Sequence, residues 1–168
     1  MPADIYPVTT IDDINTVSRL AREIWTEHFT PIIGEHQVAY MLEKFQSSEP
    51  VTHQISEGCE YYLARIDNEY VGYTALITDP ANRKMMISKL YILDRVRGTG
   101  AGTTLLGHIE DICCTRHISR LWLTVNKYND SAISWYKHRG FSIKDAVKTD
   151  IGSGFYMDDY IMEKALDQ

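Results

Sequence analysis

A glycine-rich turn with two arginines connects an apolar run to an amphipathic segment within residues 87–112. Glycine adopts backbone angles that other residues avoid, so a ligand can approach its main chain closely. The first N–H groups of a helix have no intrahelical partner, and with the helix dipole they form an anion site. The sequence therefore predicts an anion site that fits a pyrophosphate. Its residues are Arg95, Arg97, Gly98, Gly100 and Gly102.

Two familiar phosphate-binding patterns do not match this turn. The P-loop ends in Gly-Lys-Ser/Thr, whereas here Gly102 is followed by Thr103 and Thr104. The dinucleotide-binding fingerprint spaces its glycines two and then three apart and has an acidic residue near the end of the next strand. Here the spacings are two and two, and that strand ends at Asn126. A glycine-rich turn without a ligand is the alternative, since lone glycine patterns have low specificity.

A second motif, NDSAISWYKHRGF, occupies residues 129–141. With the turn RGTGAG at residues 97–102, the sequence resembles the GNAT superfamily of acetyl-CoA-dependent N-acetyltransferases. That family has Gln/Arg-x-x-Gly-x-Gly/Ala after its fourth strand. It later has an asparagine, an alanine three positions on, a tyrosine four further, and then Gly-Phe. The matching residues of the later motif are Asn129, Ala132, Tyr136, Gly140 and Phe141.

The resemblance covers about residues 60–165, and it implies a role for each matching position. The main chain of Leu90, Tyr91 and Ile92 is expected to bond pantetheine like an added strand. The Ile92 N–H is expected to stabilise the oxyanion. Asn129 is expected to contact the cofactor arm, and Tyr136 to protonate the leaving thiolate as a general acid. The residues expected to hold the pyrophosphate region are Arg97, Gly98, Thr99, Gly100, Ala101, Gly102 and Thr103.

One position departs from the family pattern. Several relatives place a glutamate on the fifth strand, five residues before Asn129, to accept the proton of the amine. Here that position is Thr124, which is no base at neutral pH. Glu27, Asp158 and Asp159 are candidates for the role, although such carboxylates are more often surface acids. Proton loss to water, or an amine that is already neutral, are the alternatives.

The elements that position these motifs follow from the hydrophobic pattern. Apolar residues three and four apart predict a helix from Ile11 to about Thr30, ended by Pro31, and a second helix after Gly34. Two β-rich runs around Asn68 predict a hairpin. A further helix is expected from about Gly102 to His117. The predicted order is β, α, α, β, β, β, α, β, α, β, β.

This order predicts an α/β fold. The step from Lys84 to Val125 is expected to be a right-handed parallel crossover, and the hairpins are expected to be antiparallel. The result is a GNAT-like mixed central sheet of about seven strands, flanked by helices on both faces. Because 168 residues suit one domain, residues 1–168 are predicted to form a single GNAT N-acetyltransferase domain.

Composition excludes several other classes of protein. No apolar run reaches the roughly 18 residues of a membrane helix, and the start MPADIYPVTT does not resemble a signal peptide. The net charge of −6 argues against general nucleic-acid binding. An odd number of cysteines predicts a reduced, cytoplasmic protein. Cys113, Cys114 and His117 have poor spacing for zinc, so no metal is expected, and Cys113 is expected to pack in the core.

These observations predict an enzyme that transfers an acetyl group from acetyl-CoA to a primary amine of a small molecule by direct attack in a ternary complex. The C-terminal run at residues 159–164 also resembles the PaiA-type branch, which acetylates polyamines. An acidic first half suits a cationic acceptor. One alternative is a protein or peptide N-terminal acetyltransferase, and another is a non-catalytic CoA-binding regulatory domain. A homodimer is an expectation of the family resemblance alone.

Overall fold

The computed structural model describes residues 3–166. Within that range, no helix combines the length and the apolar composition that a membrane crossing requires. The strands are β1 (Asp4–Pro7), β2 (Glu60–Ile66), β3 (Glu69–Asp79), β4 (Lys84–Ile92), β5 (Arg120–Asn126), β6 (Ser142–Gly152) and β7 (Phe155–Ala165). The α-helices are α1 (Ile11–Ile33), α2 (Glu35–Met41), α3 (Ser48–Ser56), α4 (Ala101–Thr115) and α5 (Asp130–His138).

The strands form one mixed sheet in the order β1-β2-β3-β4-β5-β7-β6, which confirms the predicted α/β fold. β4 and β5 are parallel, and their register joins Lys84–Met86 to Arg120–Trp122. β1 and β3 are each antiparallel to β2, and β5 and β6 are each antiparallel to β7. The strand count and the mixed pairing therefore agree with the sequence prediction.

The chain divides into two compact units. The first contains the chain up to Ile77 together with Lys89–Ile112, and the second contains Thr78–Ser88 together with the chain from Cys113 onward. The first unit therefore carries the glycine turn, and the second carries the asparagine–tyrosine motif. A single domain over residues 1–168 stays a prediction.

Helix α1 begins at a capping box and extends past its proline. Thr10 Oγ1 accepts a hydrogen bond from the Asp13 N–H, and the Asp13 carboxylate accepts one from the Thr10 N–H. Two N–H groups at the start of the helix therefore have side-chain partners. The prediction that Pro31 ends the helix is wrong, because the helix continues to Ile33. A proline in the last turn removes one intrahelical bond, and the next turn still closes from the Gly34 N–H to the Thr30 carbonyl at 2.9 Å.

Other element boundaries follow backbone conformations at specific residues. The β2–β3 hairpin turns at Asp67 and Asn68, whose φ angles of 48° and 67° suit a two-residue turn, as predicted. Helix α4 ends at Thr115 rather than at His117, which has a left-handed φ of 57° and lies outside the helix. β1 ends at Pro7, because Thr9 and Thr10 belong to the cap of α1.

A π-helical segment, Leu42–Gln46, lies between α2 and α3 and was not predicted. A buried lysine of β4 forms a hydrogen bond to this segment. Lys89 is 6% exposed, and its Nζ donates to the Phe45 carbonyl at 2.6 Å, to Gln54 Oε1 at 3.0 Å and to the Tyr61 hydroxyl at 2.5 Å. These acceptors take all three ammonium protons. The segment is therefore held by a buried amino group with neutral partners.

This buried lysine predicts a specific pH dependence of stability. Burial lowers the pKa of Lys89 from 10.5 to about 7. Between those values the unfolded chain binds a proton that the folded protein releases, so the free energy of unfolding rises with pH. We expect Lys89 to contribute a rise of about 1.5 kcal/mol between pH 7 and pH 8.5. Lys89→Met removes this rise, measured by urea unfolding at a series of pH values.

Lys144→Met is the matched control, because Lys144 is exposed on β6. Its unfolding free energy is expected to follow the pH dependence of the unmodified protein. If the curves of the unmodified protein and Lys89→Met are parallel over this range, then the lysine is fully charged in the folded protein and the account of its burial is wrong.

Candidate active site

The glycine turn leaves its main chain open on one side. Gly98 and Gly100 have φ angles of 81° and 91°, and a Cβ placed on either would have no heavy atom within 4 Å. The Thr104 N–H donates to the Gly100 carbonyl at 2.9 Å. The N–H groups of Ala101 and Gly102 precede that first bond, so they have no partner inside α4. Open space beside unpaired helical N–H groups is the arrangement that a pyrophosphate requires.

The side chains of the turn form hydrogen bonds and ion pairs with neighbouring residues. Arg97 Nε lies 2.9 Å from Asp94 Oδ1, and Arg97 Nη2 lies 3.2 Å from His28 Nδ1. Arg95 Nη1 lies 2.5 Å from Glu69 Oε1. Both the N–H and the hydroxyl of Thr99 donate to the Val96 carbonyl, at 3.3 Å and 2.6 Å. Carboxylates therefore offset part of the positive charge, and an anion would depend chiefly on the main-chain N–H groups.

The edge of β4 away from β3 presents the predicted oxyanion donor. The Leu93 N–H donates to the Val71 carbonyl of the β3 segment at 2.9 Å. Because successive N–H groups alternate along a strand, the Ile92 N–H points to the opposite edge, as does the Leu90 N–H. A Cβ on Gly72 would lie 2.6 Å from the Tyr91 carbonyl oxygen, so only glycine permits this approach of β3 to β4. The close approach fixes the main chain of residues 90–92.

Aromatic side chains pack around Tyr91 in the first unit. Its ring makes edge contacts with Trp25 at 5.5 Å, Phe29 at 5.9 Å and Tyr73 at 5.6 Å between ring centroids. Trp25, Phe29 and Tyr73 are buried. The Tyr73 hydroxyl donates to Gln46 Oε1 at 2.8 Å. Trp25 therefore packs in the core, and the cluster supports the part of β4 that carries the predicted site.

The second unit holds the asparagine–tyrosine motif at the connection from β5 to α5. Asn129 is buried, its N–H donates to the Asn126 carbonyl at 3.0 Å, and its own carbonyl accepts from the Ile133 N–H at 3.1 Å. Its position is the N-cap of α5, although its side chain makes no cap hydrogen bond. The structure therefore places Asn129 and Tyr136 on one short helix, with Asn129 at its start.

Tyr136 is buried between two other aromatic rings. Its ring makes edge contacts with Trp135 at 5.1 Å and Phe141 at 5.3 Å between centroids. Burial raises the pKa of Tyr136 well above its ordinary value of 10.0. The phenol is therefore protonated at neutral pH, which a general acid requires. The same packing also suits a structural aromatic, so its catalytic role stays a prediction.

The predicted proton acceptors differ in their surroundings, which the sequence did not reveal. Glu27 is exposed on α1, and Asp158 Oδ1 lies 3.0 Å from Lys127 Nζ. Asp159 is buried, with 6% of its surface exposed. Thr124 lies on β5 opposite Ile161, and neither residue carries a carboxylate.

The three cysteines include the one that the sequence predicts in the core. All three are free, and Cys113 is buried with its Sγ 3.7 Å from Met85 Sδ, which confirms its place in the core. Cys114 is exposed. Across residues 3–166, no group of three or more histidine, cysteine or carboxylate side chains is arranged to hold a metal ion.

Known proteins share this fold over nearly its whole length. The chain is 28% identical over 159 residues to a spermidine N(1)-acetyltransferase of Thermoplasma acidophilum, covering 92% of each chain. The crystal structure of PaiA N-acetyltransferase from Thermoplasma acidophilum in complex with coenzyme A is 26% identical. It superposes with a TM-score of 0.82 over 99% of this chain and 100% of that one. The ribosomal-protein-S18-alanine N-acetyltransferase of Escherichia coli, at 15% identity, shares the fold with a TM-score of 0.73 over 99% of this chain and 95% of that one. A family model described as the acetyltransferase (GNAT) family matches residues 18–141, so the chain belongs to that family of acetyl-CoA-dependent N-acetyltransferases.

Proposed function

We propose that this enzyme acetylates a primary amine of a small cationic molecule of the polyamine class, with acetyl-CoA as the donor. The observation that carries the proposal is the open main chain at Gly98 and Gly100, where a Cβ would meet no heavy atom within 4 Å. The amine class is supported by the similarity to a spermidine N(1)-acetyltransferase over 92% of both chains. The similarity to the PaiA N-acetyltransferase bound to coenzyme A adds to that support.

The residues of this chain divide the work in the proposed reaction. Bound acetyl-CoA supplies a thioester whose carbonyl carbon the amine attacks. The N–H groups of residues 98 and 100–103 hold its pyrophosphate, whereas the N–H of Thr99 is bonded to the Val96 carbonyl. The main chain of Leu90–Ile92 aligns its pantetheine arm. The Ile92 N–H donates to the carbonyl oxygen as negative charge develops there. Asn129 contacts the cofactor arm, and Tyr136 donates the proton that the departing sulfur needs.

The charge of the first unit favours a cationic acceptor. Its helices carry exposed carboxylates that attract cations at low ionic strength and raise the rate of encounter. The chain as a whole has a net charge of −6. The exposed carboxylates of α1, α2, the π-helical segment and α3 include Asp12, Glu23, Glu27, Glu35, Glu43 and Glu49.

A thiol-release assay with acetyl-CoA across spermidine, amino acids, aminoglycosides and peptides tests the proposal. We expect the highest kcat/KM with spermidine, and a fall in that value as salt screens the attraction. A peptide as the best acceptor would favour the protein N-terminal acetyltransferase alternative. Coenzyme A binding without thiol release from any acceptor would favour the regulatory domain.

We also propose a cytoplasmic location, which the three free cysteines support because reduced thiols persist in that compartment. A homodimer stays a prediction of the family resemblance. Gel filtration with light scattering measures the mass of the particle directly.

A further inference from the structure

A buried carboxylate lies on β7 opposite the last residue of β5. Asp159 is 6% exposed, and the strand register pairs it with Asn126 on one side and Val147 on the other. Among the described residues, no side chain or main-chain N–H donates a hydrogen bond to its carboxylate. A buried carboxylate without a donor destabilises the fold unless it meets a cation or takes up a proton.

The cation whose charge acts on this carboxylate, Lys127, is already engaged. Lys127 Nζ lies 3.0 Å from Asp158 Oδ1, and the Lys127 N–H donates to the Asp158 carbonyl at 3.0 Å. Lys148 of β6 also lies opposite Asp158 in the register. Burial first, and the charge of Asp158 second, raise the pKa of Asp159 to about 6, and Lys127 opposes the shift. Asp159 therefore takes up a proton more readily than an ordinary aspartate does.

We infer that Asp159 is the base that takes the proton of the acceptor ammonium. This inference rests on the proposed function. The register places Asp159 two residues from Ile161, which faces Thr124, so Asp159 and Thr124 lie on the same face of neighbouring strands. Of the three candidate carboxylates, Glu27 is exposed and Asp158 is paired with a lysine. Asp159 is the buried and unpaired one.

The protons balance over one turnover. The ammonium group first gives one proton to the Asp159 carboxylate and becomes a neutral amine. The carbon–nitrogen bond then forms and the carbon–sulfur bond breaks, while the nitrogen loses a second proton. The sulfur takes up one proton from Tyr136, which recovers it from the nitrogen directly or through water. Asp159 releases its own proton to solvent, so each turnover yields one free proton, an amide and coenzyme A.

Asp159→Asn tests this assignment, with Asp158→Asn as the matched control. We expect Asp159→Asn to lower kcat/KM for spermidine at least a hundredfold and to abolish the acidic limb of its pH profile, which we expect near pH 6 in the unmodified enzyme. Asp158→Asn is expected to keep kcat/KM within about threefold and to keep that limb, moved to lower pH, because it removes a half-buried ion pair and the negative charge that raises the pKa of Asp159. Coenzyme A affinity, measured by calorimetry, should be equal in all three proteins.

Thermal stability separates a catalytic role from a structural one. Because the pKa of Asp159 lies above its ordinary value of 3.8, its charge opposes folding increasingly from about pH 4 to pH 6. Asp159→Asn should therefore melt at a higher temperature at pH 7 while losing activity. A lower melting temperature, failure to fold, or retention of kcat/KM within threefold would each overturn the assignment. If the unmodified protein acetylates no amine, the proposed function fails instead, and carbon NMR titration of Asp159 still measures its pKa.

Discussion

Gly100→Ala is expected to weaken coenzyme A binding about thirtyfold, which corresponds to roughly 2 kcal/mol of binding free energy. Gly100 has a φ of 91°, and its missing side chain leaves open the space where the pyrophosphate is proposed to approach. An alanine methyl group would occupy that space and would disfavour the left-handed backbone. Isothermal titration calorimetry with coenzyme A measures the change in Kd.

Gly58→Ala is the control that distinguishes the effect of backbone strain from the loss of contact with coenzyme A. Gly58 also has a positive φ, at 103°, and also has no heavy atom within 4 Å of a Cβ, but it lies between α3 and β2. Both variants are expected to lose about 1 kcal/mol of unfolding free energy from strain. Only Gly100→Ala should lose affinity. If Gly100→Ala binds coenzyme A within threefold of the unmodified protein, the pyrophosphate does not lie on this turn.

Tyr136→Phe is expected to lower kcat by a factor of about 10²–10³ while leaving the Kd for coenzyme A unchanged. The phenol has an ordinary pKa of 10.0, which burial raises, so it carries a proton at neutral pH that it can donate to a departing thiolate. Phenylalanine keeps the ring contacts with Trp135 and Phe141, so the melting temperature should change little. Steady-state kinetics at saturating amine and acetyl-CoA measures the loss.

Tyr128→Phe is the control for removing a phenol near α5. Tyr128 is 67% exposed on the connection between β5 and α5, and its variant should keep full kcat. Should Tyr136→Phe also keep kcat within threefold, the hydroxyl of Tyr136 serves packing alone and another group protonates the sulfur.

The elements that the sequence predicted well are those whose signals are local. β5 ends at Asn126, as predicted, because its mainly apolar run stops there. The turns at Asn68 and Gly140 were also predictable, because asparagine and glycine are among the few residue types that favour a positive φ. Both positions have a positive φ in the structure. The glycine turn was predicted for the same reason, and Gly98 and Gly100 adopt such angles.

Other features depend on contacts between distant segments, which no local pattern reports. A lysine in a β-rich run predicts an exposed side chain, yet Lys89 is buried because Phe45, Gln54 and Tyr61 surround its ammonium group. Asp158 and Asp159 are adjacent carboxylates that no local sequence pattern distinguishes. Only the fold shows that Asp159 is buried and that Asp158 is paired with a lysine. The choice among candidate bases therefore needed the structure.

The most direct test of the main-chain pyrophosphate site is NMR spectroscopy of the ¹⁵N-labelled protein titrated with coenzyme A. The account predicts that the amide resonances of Gly98, Gly100, Ala101 and Gly102 shift most and that their hydrogen exchange slows, because these N–H groups gain phosphate acceptors. Binding that leaves these four amides unchanged while others shift would contradict it.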